Sequence, residues 1–598
     1  MTTLQRRVVL GAIVLLALAL RLHGIQYGLP AVYNPDEVAI MARALSFAKG
    51  TLNPHNFLYP TLYFYVLFGW VGAYLGFVWL TGGVASVAAL QQLYFADPTG
   101  IYTAGRVLGA LFGALCVPAI FVLGRRLFDV HAGLAAAVFV AVAPLAVRDS
   151  HYVKHDIPAT LAVVMAYVAI TRIWPRFPAT EPTRGAAGTE RERVKAASRG
   201  AGGPDVQRND VLVAGAACGV AFSTHYYCIF LALPLAWAIV LRWREAGWRV
   251  VVRHLFTAAA ASAVLFLALS PFLIVEPLNA LRDITANRQI VIDRAVQSGA
   301  FAPAQRYLDI LWTDSLGRTV VALGAAGAGW MLVTAPSRAI LLLLFPAAFF
   351  AFIVNTVPAS RYLNPVVPFV ALFAAWALRR LALTFRAPVT TFWIVAVACA
   401  VPPLAHSVRT GQFFRMEDTR AQAERFVEEY IPPGATVLIQ PYSVVLNPSR
   451  EALVDALIRN LGTADAASTK YRIQLGLQPY PQPGYRVLWL GRGGLDADKI
   501  YVDPAEVWAG DGLRRLRELG VAYVILKRYN TLDPEITRLS AELAARGRLI
   551  AAFSPYRPGI PATERAGIDP FLHNTDTRID DALERPGPPL EIWQLEWP

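Results

Sequence analysis

Charge is the scarcest commodity in this 598-residue sequence: only 16% of the residues are Asp, Glu, Lys or Arg, against 56% hydrophobic. Soluble domains carry roughly 25% charged and roughly 45–50% apolar residues. The shortfall excludes a soluble enzyme and a disordered chain. Cysteine is almost missing as well. Cys116, Cys218, Cys228 and Cys399 all lie in apolar segments, with no CxxC and no metal-ligand spacing. A disulfide scaffold is therefore excluded, and the stretch beyond Cys399 needs no disulfide in whichever compartment it occupies. The regular ten-residue alternation of an outer-membrane barrel is absent too. So are an internal repeat and, in the C-terminal third, a Gly-rich phosphate loop or a nucleophile elbow.

What the sequence has is long apolar runs, several near the ~20 residues that cross a bilayer as a helix. The first follows Arg6 and Arg7 and ends at Leu20. It shows no small-residue cleavage site, so it reads as an uncleaved first transmembrane helix. The net charge of +13 sits almost wholly in the apolar part: residues 1–407 carry 32 basic and 17 acidic residues, residues 408–598 carry 23 and 25. That distribution fits basic cytoplasmic loops and argues against nucleic acid as a partner. Arg6–Arg7 place the N-terminus in the cytoplasm. Arg125–Arg126, the run from Arg172 to Arg208, the Arg242–His254 stretch and Arg379–Arg386 fall on the same side.

Crossings are predicted at 7–23, 102–124, 132–149, 157–174, 211–224, 227–241, 255–275, 318–334, 339–356, 362–379 and 389–407. These make eleven, or thirteen if Leu62–Leu80 and Val84–Phe95 form a spanning hairpin rather than a surface helix. Either total is odd and puts the C-terminal domain outside. The predicted fold is thus a polytopic α-helical membrane protein of about 11–13 transmembrane helices with a C-terminal soluble α/β domain. Residues 1–407 form the membrane domain and 408–598 the extracytoplasmic one. Residues 175–209 read as a flexible cytoplasmic loop, and 276–316 as a partly helical outer loop. In the C-terminal domain, helices are expected at Asp418–Tyr430, Ser449–Asn460 and Gly512–Leu519, and strands at Ala435–Gln440, Tyr485–Leu490, Val521–Leu526 and Leu590–Leu595.

Three polar constellations fall on the outer side. Tyr33-Asn34-Pro35-Asp36-Glu37 sets adjacent acids after a proline turn and before a helical pattern. Asp36 is placed to cap that helix, a structural reading worth ~1 kcal/mol. His151-Tyr152-Val153-Lys154-His155-Asp156 gathers two His, a Lys and an Asp at a membrane boundary. Such clusters are expensive there and therefore functional candidates, although Asp156 also suits a helix cap before Ile157-Pro158. Arg361, in Ser360-Arg-Tyr-Leu-Asn-Pro365, and Arg106 each stand at the outer mouth of a crossing. Each suits either a phosphate contact or a snorkelling anchor. His225, between two short crossings, faces an expected cavity. His151 and His155, at i, i+4, and Glu37 are the candidate ligands for a divalent metal, with no third ligand identifiable beside the two imidazoles.

At these residues the sequence resembles the GT-C superfamily of membrane glycosyltransferases. It is most similar to the dolichyl-phosphate-mannose–protein mannosyltransferases and the bacterial aminoarabinose lipid A transferases. Asn34-Pro35-Asp36-Glu37 matches their first-loop acidic motif. Tyr59-Pro60-Thr61-Leu62-Tyr63 resembles their His-Pro-Pro-Leu-Tyr motif but departs at the His and the second Pro. Arg106–Pro118 with Gly124–Phe128, His155-Asp156, Arg361–Phe369, and Asp418–Ala423 followed by Ile431–Gly434 complete a set covering most of residues 1–440.

The resemblance implies a polyprenyl-phosphate sugar donor and an inverting transfer to a lipid, glycan or protein acceptor outside the cytoplasmic membrane. It implies a first-loop helix along the membrane surface, favouring eleven crossings. It gives Asp36 as the general base, Glu37 and Asp156 as acceptor-binding, orienting or metal-holding acids, and Arg106, Lys154, His155, His225 and Arg361 as donor-phosphate or substrate contacts. A transporter or flippase for a lipid-linked glycan is the alternative. It expects internal repeats and midplane charges, whereas here the charges collect at the outer boundary.

Overall fold

The computed structural model describes residues 2–174, 208–288, 302–494, 496–508, 513–528, 534–572 and 579–597. Most of the expected cytoplasmic loop 175–209 and part of the expected outer loop 276–316 lie outside the described residues. The chain divides into two compact units. One comprises Met1–Leu22, Ala39–Gly69 and Val107–Val408. The other comprises His23–Val38, Trp70–Arg106 and Arg409–Pro598.

Among the described residues, seven helices are long and apolar enough to cross a membrane: Thr3–Leu22, Leu62–Leu80, Thr99–Leu127, Trp248–Leu269, Pro336–Ile353, Val367–Thr384 and the stretch beginning at Val389. Arg318–Thr334 joins them as an eighth if it and Ala302–Ser315, bent by 117° where they meet, count as one span. Val130–Ala141, Asp156–Ile170 and Tyr226–Val240 are shorter apolar helices. The chain is a multi-pass membrane protein.

The count falls below eleven because prolines and tight turns cut several of the expected crossings. Segment 132–149 is two helices, Val130–Ala141 and Pro144–Asp149. Proline suits the first position of the second helix but drives the residue before it out of the α region, and Ala143 is extended accordingly. Segment 255–275 breaks at Ser270-Pro271 for the same reason. Segment 227–241 opens with a 3-10 turn, Tyr226–Leu231. Conversely, Leu62–Leu80 is a single uncharged 19-residue helix of spanning length, while the other half of the expected hairpin, Val87–Ala96, has only 10 residues.

The break before Pro144 leaves the carbonyls at the end of Val130–Ala141 without intrahelical partners. Side chains supply them. Fully buried Arg21 donates to Val140 O and Ala141 O at 3.3 and 3.0 Å, and to Ala17 O at 2.9 Å. Ser407 donates to Val142 O at 2.9 Å. Elsewhere in this unit, small residues let helices meet backbone to backbone. A Cβ on Gly215 or Gly219 would stand at 2.4 Å from the Ala258 or the Ser262 carbonyl oxygen of helix Trp248–Leu269. This four-residue glycine spacing is the membrane way of bringing two helices close.

The second unit carries a six-stranded sheet: β1 Thr436–Ile439, β2 Arg486–Leu490, β3 Ile500–Val502, β4 Tyr523–Lys527, β5 Gly547–Phe553 and β6 Leu590–Leu595. Its order is β3-β2-β1-β4-β6-β5. β3, β2, β1 and β4 run parallel; β6 runs antiparallel between β4 and β5. Residues alternate between two apolar cores, as the period of a strand requires. Val437, Ile439 and Ile525 face Ala423 and Val427 of helix Thr419–Tyr430, whereas Leu438, Val524 and Leu526 face Leu516, Leu539 and Leu543. The predicted strands at 435–440, 485–490, 521–526 and 590–595 are all present. β3, three residues long, and β5, an exposed edge strand, carried no pattern long enough to read.

Candidate active site

The acidic motif lies in the second unit. Pro35 opens helix Pro35–Ser46, and Asn34 performs the capping, accepting from the Asp36 backbone N–H on Oδ1 at 3.0 Å and from the Glu37 N–H on its carbonyl at 3.2 Å. The capping expected of Asp36 is thus done by Asn34, and Asp36 sits half-buried in the helix's first turn.

Its neighbour has a different environment. Glu37 is fully buried and binds Arg106 through both oxygens, accepting from Nε at 2.9 Å and from Nη2 at 2.8 Å. The remaining Arg106 nitrogen, Nη1, donates to Ile25 O at 2.9 Å and Tyr27 O at 2.6 Å. A two-pronged guanidinium–carboxylate pair is the strongest geometry such groups adopt. The structure therefore gives Arg106 and Glu37 to each other, and the expected phosphate contact and metal ligand are both occupied by that pairing. Tyr33, at the head of the motif, lies under the buried guanidinium of Arg420, 3.8 Å from ring centre to carbon. Arg420 in turn binds both Asp418 oxygens, at 2.8 and 2.7 Å.

The other candidates lie in the first unit. His151 to Lys154 form a turn between helices Pro144–Asp149 and Asp156–Ile170. The i, i+4 spacing of His151 and His155 therefore does not set two imidazoles on one helical face. His151 Nδ1 donates to Val147 O at 2.8 Å, a backbone lock. Among the described residues, no group of three or more His, Cys, Asp or Glu stands at metal-binding separation. Lys154, His155 and Asp156 are all buried. Asp156 is the first residue of its helix, and the preceding His155 makes no side-chain capping bond.

His155 sits in an aromatic cage. Tyr59 stacks on it at 4.3 Å, and Tyr63, Phe64 and His225 present edges at 4.6, 4.9 and 6.5 Å. Tyr59 also meets His225 at 5.3 Å. His225 stacks on Tyr227 at 3.8 Å, and its Nδ1 accepts from the Tyr227 backbone N–H at 3.4 Å. That bond fixes the proton of the neutral ring on Nε2. Burial, helped by the charge of Arg361, pushes the imidazole down to about 3. His225 is thus a neutral N–H donor beside a guanidinium. The structure brings Tyr59, His155, His225 and Arg361 together.

Sequence reasoning missed Arg148, Asp149 and Asn364. Arg148 Nε donates to Asp149 Oδ1 at 3.0 Å, and its Nη2 to Ser360 Oγ at 2.6 Å. Asn364 Nδ2 donates to Asp149 Oδ2 at 2.6 Å and to Arg361 O at 3.0 Å. All four are buried. The signal was present: two charges closing the apolar segment 132–149, where an ionisable residue is itself a functional flag.

Comparison with known proteins bears out the resemblance. The family model described as dolichyl-phosphate-mannose-protein mannosyltransferase matches residues 99–177, the segment that carries Arg106 and the His151–Asp156 cluster. The oligosaccharyltransferase of Archaeoglobus fulgidus in its apo form is similar over 99% of this chain and 89% of its own, at TM-score 0.50 and 11% identity. ArnT from Cupriavidus metallidurans bound to undecaprenyl phosphate covers 92% and 97%, at TM-score 0.47 and 14% identity. The Pmt1–Pmt2 protein O-mannosyltransferase complex of S. cerevisiae covers 47% and 35%, at TM-score 0.31 and 18% identity. No curated protein matches in sequence. The chain thus shares its fold with that oligosaccharyltransferase: mostly helical, with candidate membrane spans and a sheet-containing C-terminal region.

Proposed function

We propose that this protein is an integral-membrane glycosyltransferase that moves a sugar from a polyprenyl-phosphate donor to a lipid, glycan or protein acceptor on the outer side of the cytoplasmic membrane, with inversion at the anomeric carbon. The N-terminus is cytoplasmic. Residues 1–407 supply the membrane catalytic domain and residues 408–598 an extracytoplasmic domain. The observation that carries this reading is the division of labour in the acidic motif. Arg106 holds Glu37 through both carboxylate oxygens and Asn34 caps the helix, so the turn that carries the half-buried Asp36 is fixed on both sides of it.

In the proposed reaction the acceptor's O–H or N–H loses its proton to Asp36 as its oxygen or nitrogen attacks the anomeric carbon. The bond from that carbon to the phosphate oxygen breaks, and polyprenyl phosphate leaves with the electron pair. Phosphate is a good leaving group, so positioning and charge stabilisation carry most of the work. Arg361 and Lys154 supply positive charge to the phosphate, and His225 donates from Nε2. Asp156 orients the acceptor, and His155 with Tyr59 offers a flat aromatic face to the sugar. Glu37 and Arg106 are positioning residues that hold the Asp36 turn.

The test uses the purified full chain in lipid, with a panel of radiolabelled polyprenyl-phosphate sugars. Asp36→Asn is expected to lower turnover by about 10²–10⁴-fold, the usual worth of a general base, with donor binding retained. Unchanged turnover removes Asp36 as the base. Donor binding without turnover in any variant, with carrier moving across liposomes, replaces the transferase by a flippase.

A further inference from the structure

The Arg148–Asp149 pair has no explanation in stability. Taking a guanidinium and a carboxylate out of water costs as much as their attraction returns, and an apolar pair of the same size commonly does as well. Nor does it act alone. Asp149 holds Arg148 on one oxygen and Asn364 on the other. Arg148 reaches across to Ser360, and Asp314, on the π-helical turn Leu311–Ser315, adds a second negative charge beside it. Such π turns recur at functional sites.

The path through Asn364 is the informative one. Its Nδ2 bridges Asp149 Oδ2 and the carbonyl of Arg361. Both acceptors are oxygens, so the orientation of the amide is fixed. Its buried Oδ1 has no hydrogen-bond partner among the described residues. Leaving a buried acceptor unsatisfied is costly, because it forfeits its hydrogen bond to water with nothing in return. The side chain therefore sits where its Nδ2 is needed rather than where its own polar atoms are best served. What the Nδ2 reaches is the backbone of Arg361, in the 3-10 turn Ser360–Leu363. Both ends of that turn, Ser360 before the arginine and Asn364 after it, are gripped by the same Arg148–Asp149 pair.

We propose that Asp149 and Asn364 are positioning residues for the donor phosphate: together they clamp the Ser360–Leu363 turn to the chain entering the His151–Asp156 segment, and so set where the Arg361 guanidinium meets the phosphate. This rests on the glycosyl-transfer reading above and adds two residues to it. A turn held by one flexible contact lets a charged group wander by an ångström, and a misplacement of about 1 Å costs about a hundredfold in rate. A fixed supporting network removes that freedom.

The experiment measures undecaprenyl phosphate affinity and separate donor and acceptor KM values for the purified full chain. Asn364→Leu cuts the link to Arg361 and leaves the Arg148–Asp149 pair; Ser360→Ala loosens the other end of the turn more gently. The expected result is about a tenfold loss of undecaprenyl phosphate affinity and an equal rise in donor KM for Asn364→Leu, and a smaller loss in the same direction for Ser360→Ala. Acceptor KM stays unchanged. A merely structural role lowers the amount of active protein and moves neither KM nor affinity. That outcome, with Arg361→Ala still weakening undecaprenyl phosphate binding, overturns the clamp and leaves the transferase reading standing. Unchanged binding in Arg361→Ala takes away the phosphate role of Arg361 and the clamp with it. If Asn364→Leu does not fold, Ser360→Ala decides: wild-type affinity there overturns the proposal.

Discussion

Two adjacent carboxylates, Asp36 and Glu37, are indistinguishable as chemistry in the sequence, and burial separates them. Glu37→Gln leaves the Arg106 guanidinium buried without its counter-charge, a loss of about 3–5 kcal/mol for a broken buried pair. The expected outcome is a clear fall in Tm of the purified protein. Asp36→Asn, a near-isosteric change on a half-buried side chain in a turn that Asn34 caps, is expected to keep its Tm while losing turnover. The two variants therefore part stability from chemistry one residue apart. His225 gives a second prediction. An imidazole held down to about 3 stays neutral between pH 5 and 8, so His225→Ala is expected to lower turnover by the same factor at both ends of that range. A factor that changes with pH shows a titrating ring. The motif Asn34–Glu37 was legible because proline, acids and a helical pattern adjoin in sequence. The partners of Glu37 and of Asp149 were not, because a pairing across 69 or 215 residues leaves no local trace.

Among the elements, the long apolar helices were located from the sequence, with ends displaced by up to eight residues, as at Val389–Arg415. The interrupted ones were read as single crossings, because an apolar run does not reveal the backbone at Ala143-Pro144 or Ser270-Pro271. The prolines themselves were the available signal. The glycine pair of helix Arg208–Thr224 supports a sharper test. At Gly215 the nearest atom to an added Cβ is a main-chain oxygen, which no rotamer change can move aside. Gly215→Val is therefore expected to push helix Trp248–Leu269 away and to lower Tm by more than Gly329→Val, where a Cβ meets nothing within 4 Å. Overpacking of this kind costs about 1–3 kcal/mol. Equal Tm values for the two variants would show that the close approach is not needed.

At the level of the whole molecule, the α/β domain was recognisable from alternating helix and strand patterns. The membership of His23–Val38 and Trp70–Arg106 in the same compact unit was not, since both precede that domain by hundreds of residues. Two groups there tie stability to pH with opposite signs. Burial, then Glu428, raises the Glu424 carboxyl from 4.5 to about 8. Between those values the unfolded chain ionises and the folded one resists, so stability falls as pH rises. Burial, then Arg420, lowers Lys527 from 10.5 to about 8, so stability recovers as pH climbs from 8 to 10.5. The Tm of this unit is expected to pass through a minimum near pH 8. Glu424→Gln is expected to flatten the acid-side descent; a variant that descends like wild type removes Glu424 as its source. Buried Arg21 bears on how the chain comes into being. Its partners at Val140 and Ala141 lie 119 and 120 residues further on, so the first helix leaves the ribosome with only the Ala17 carbonyl of its own last turn within reach of that guanidinium. Those two bonds can form only once the segment through Ala141 has been synthesised. The last contacts of the first helix are therefore made by chain that is synthesised more than a hundred residues after it.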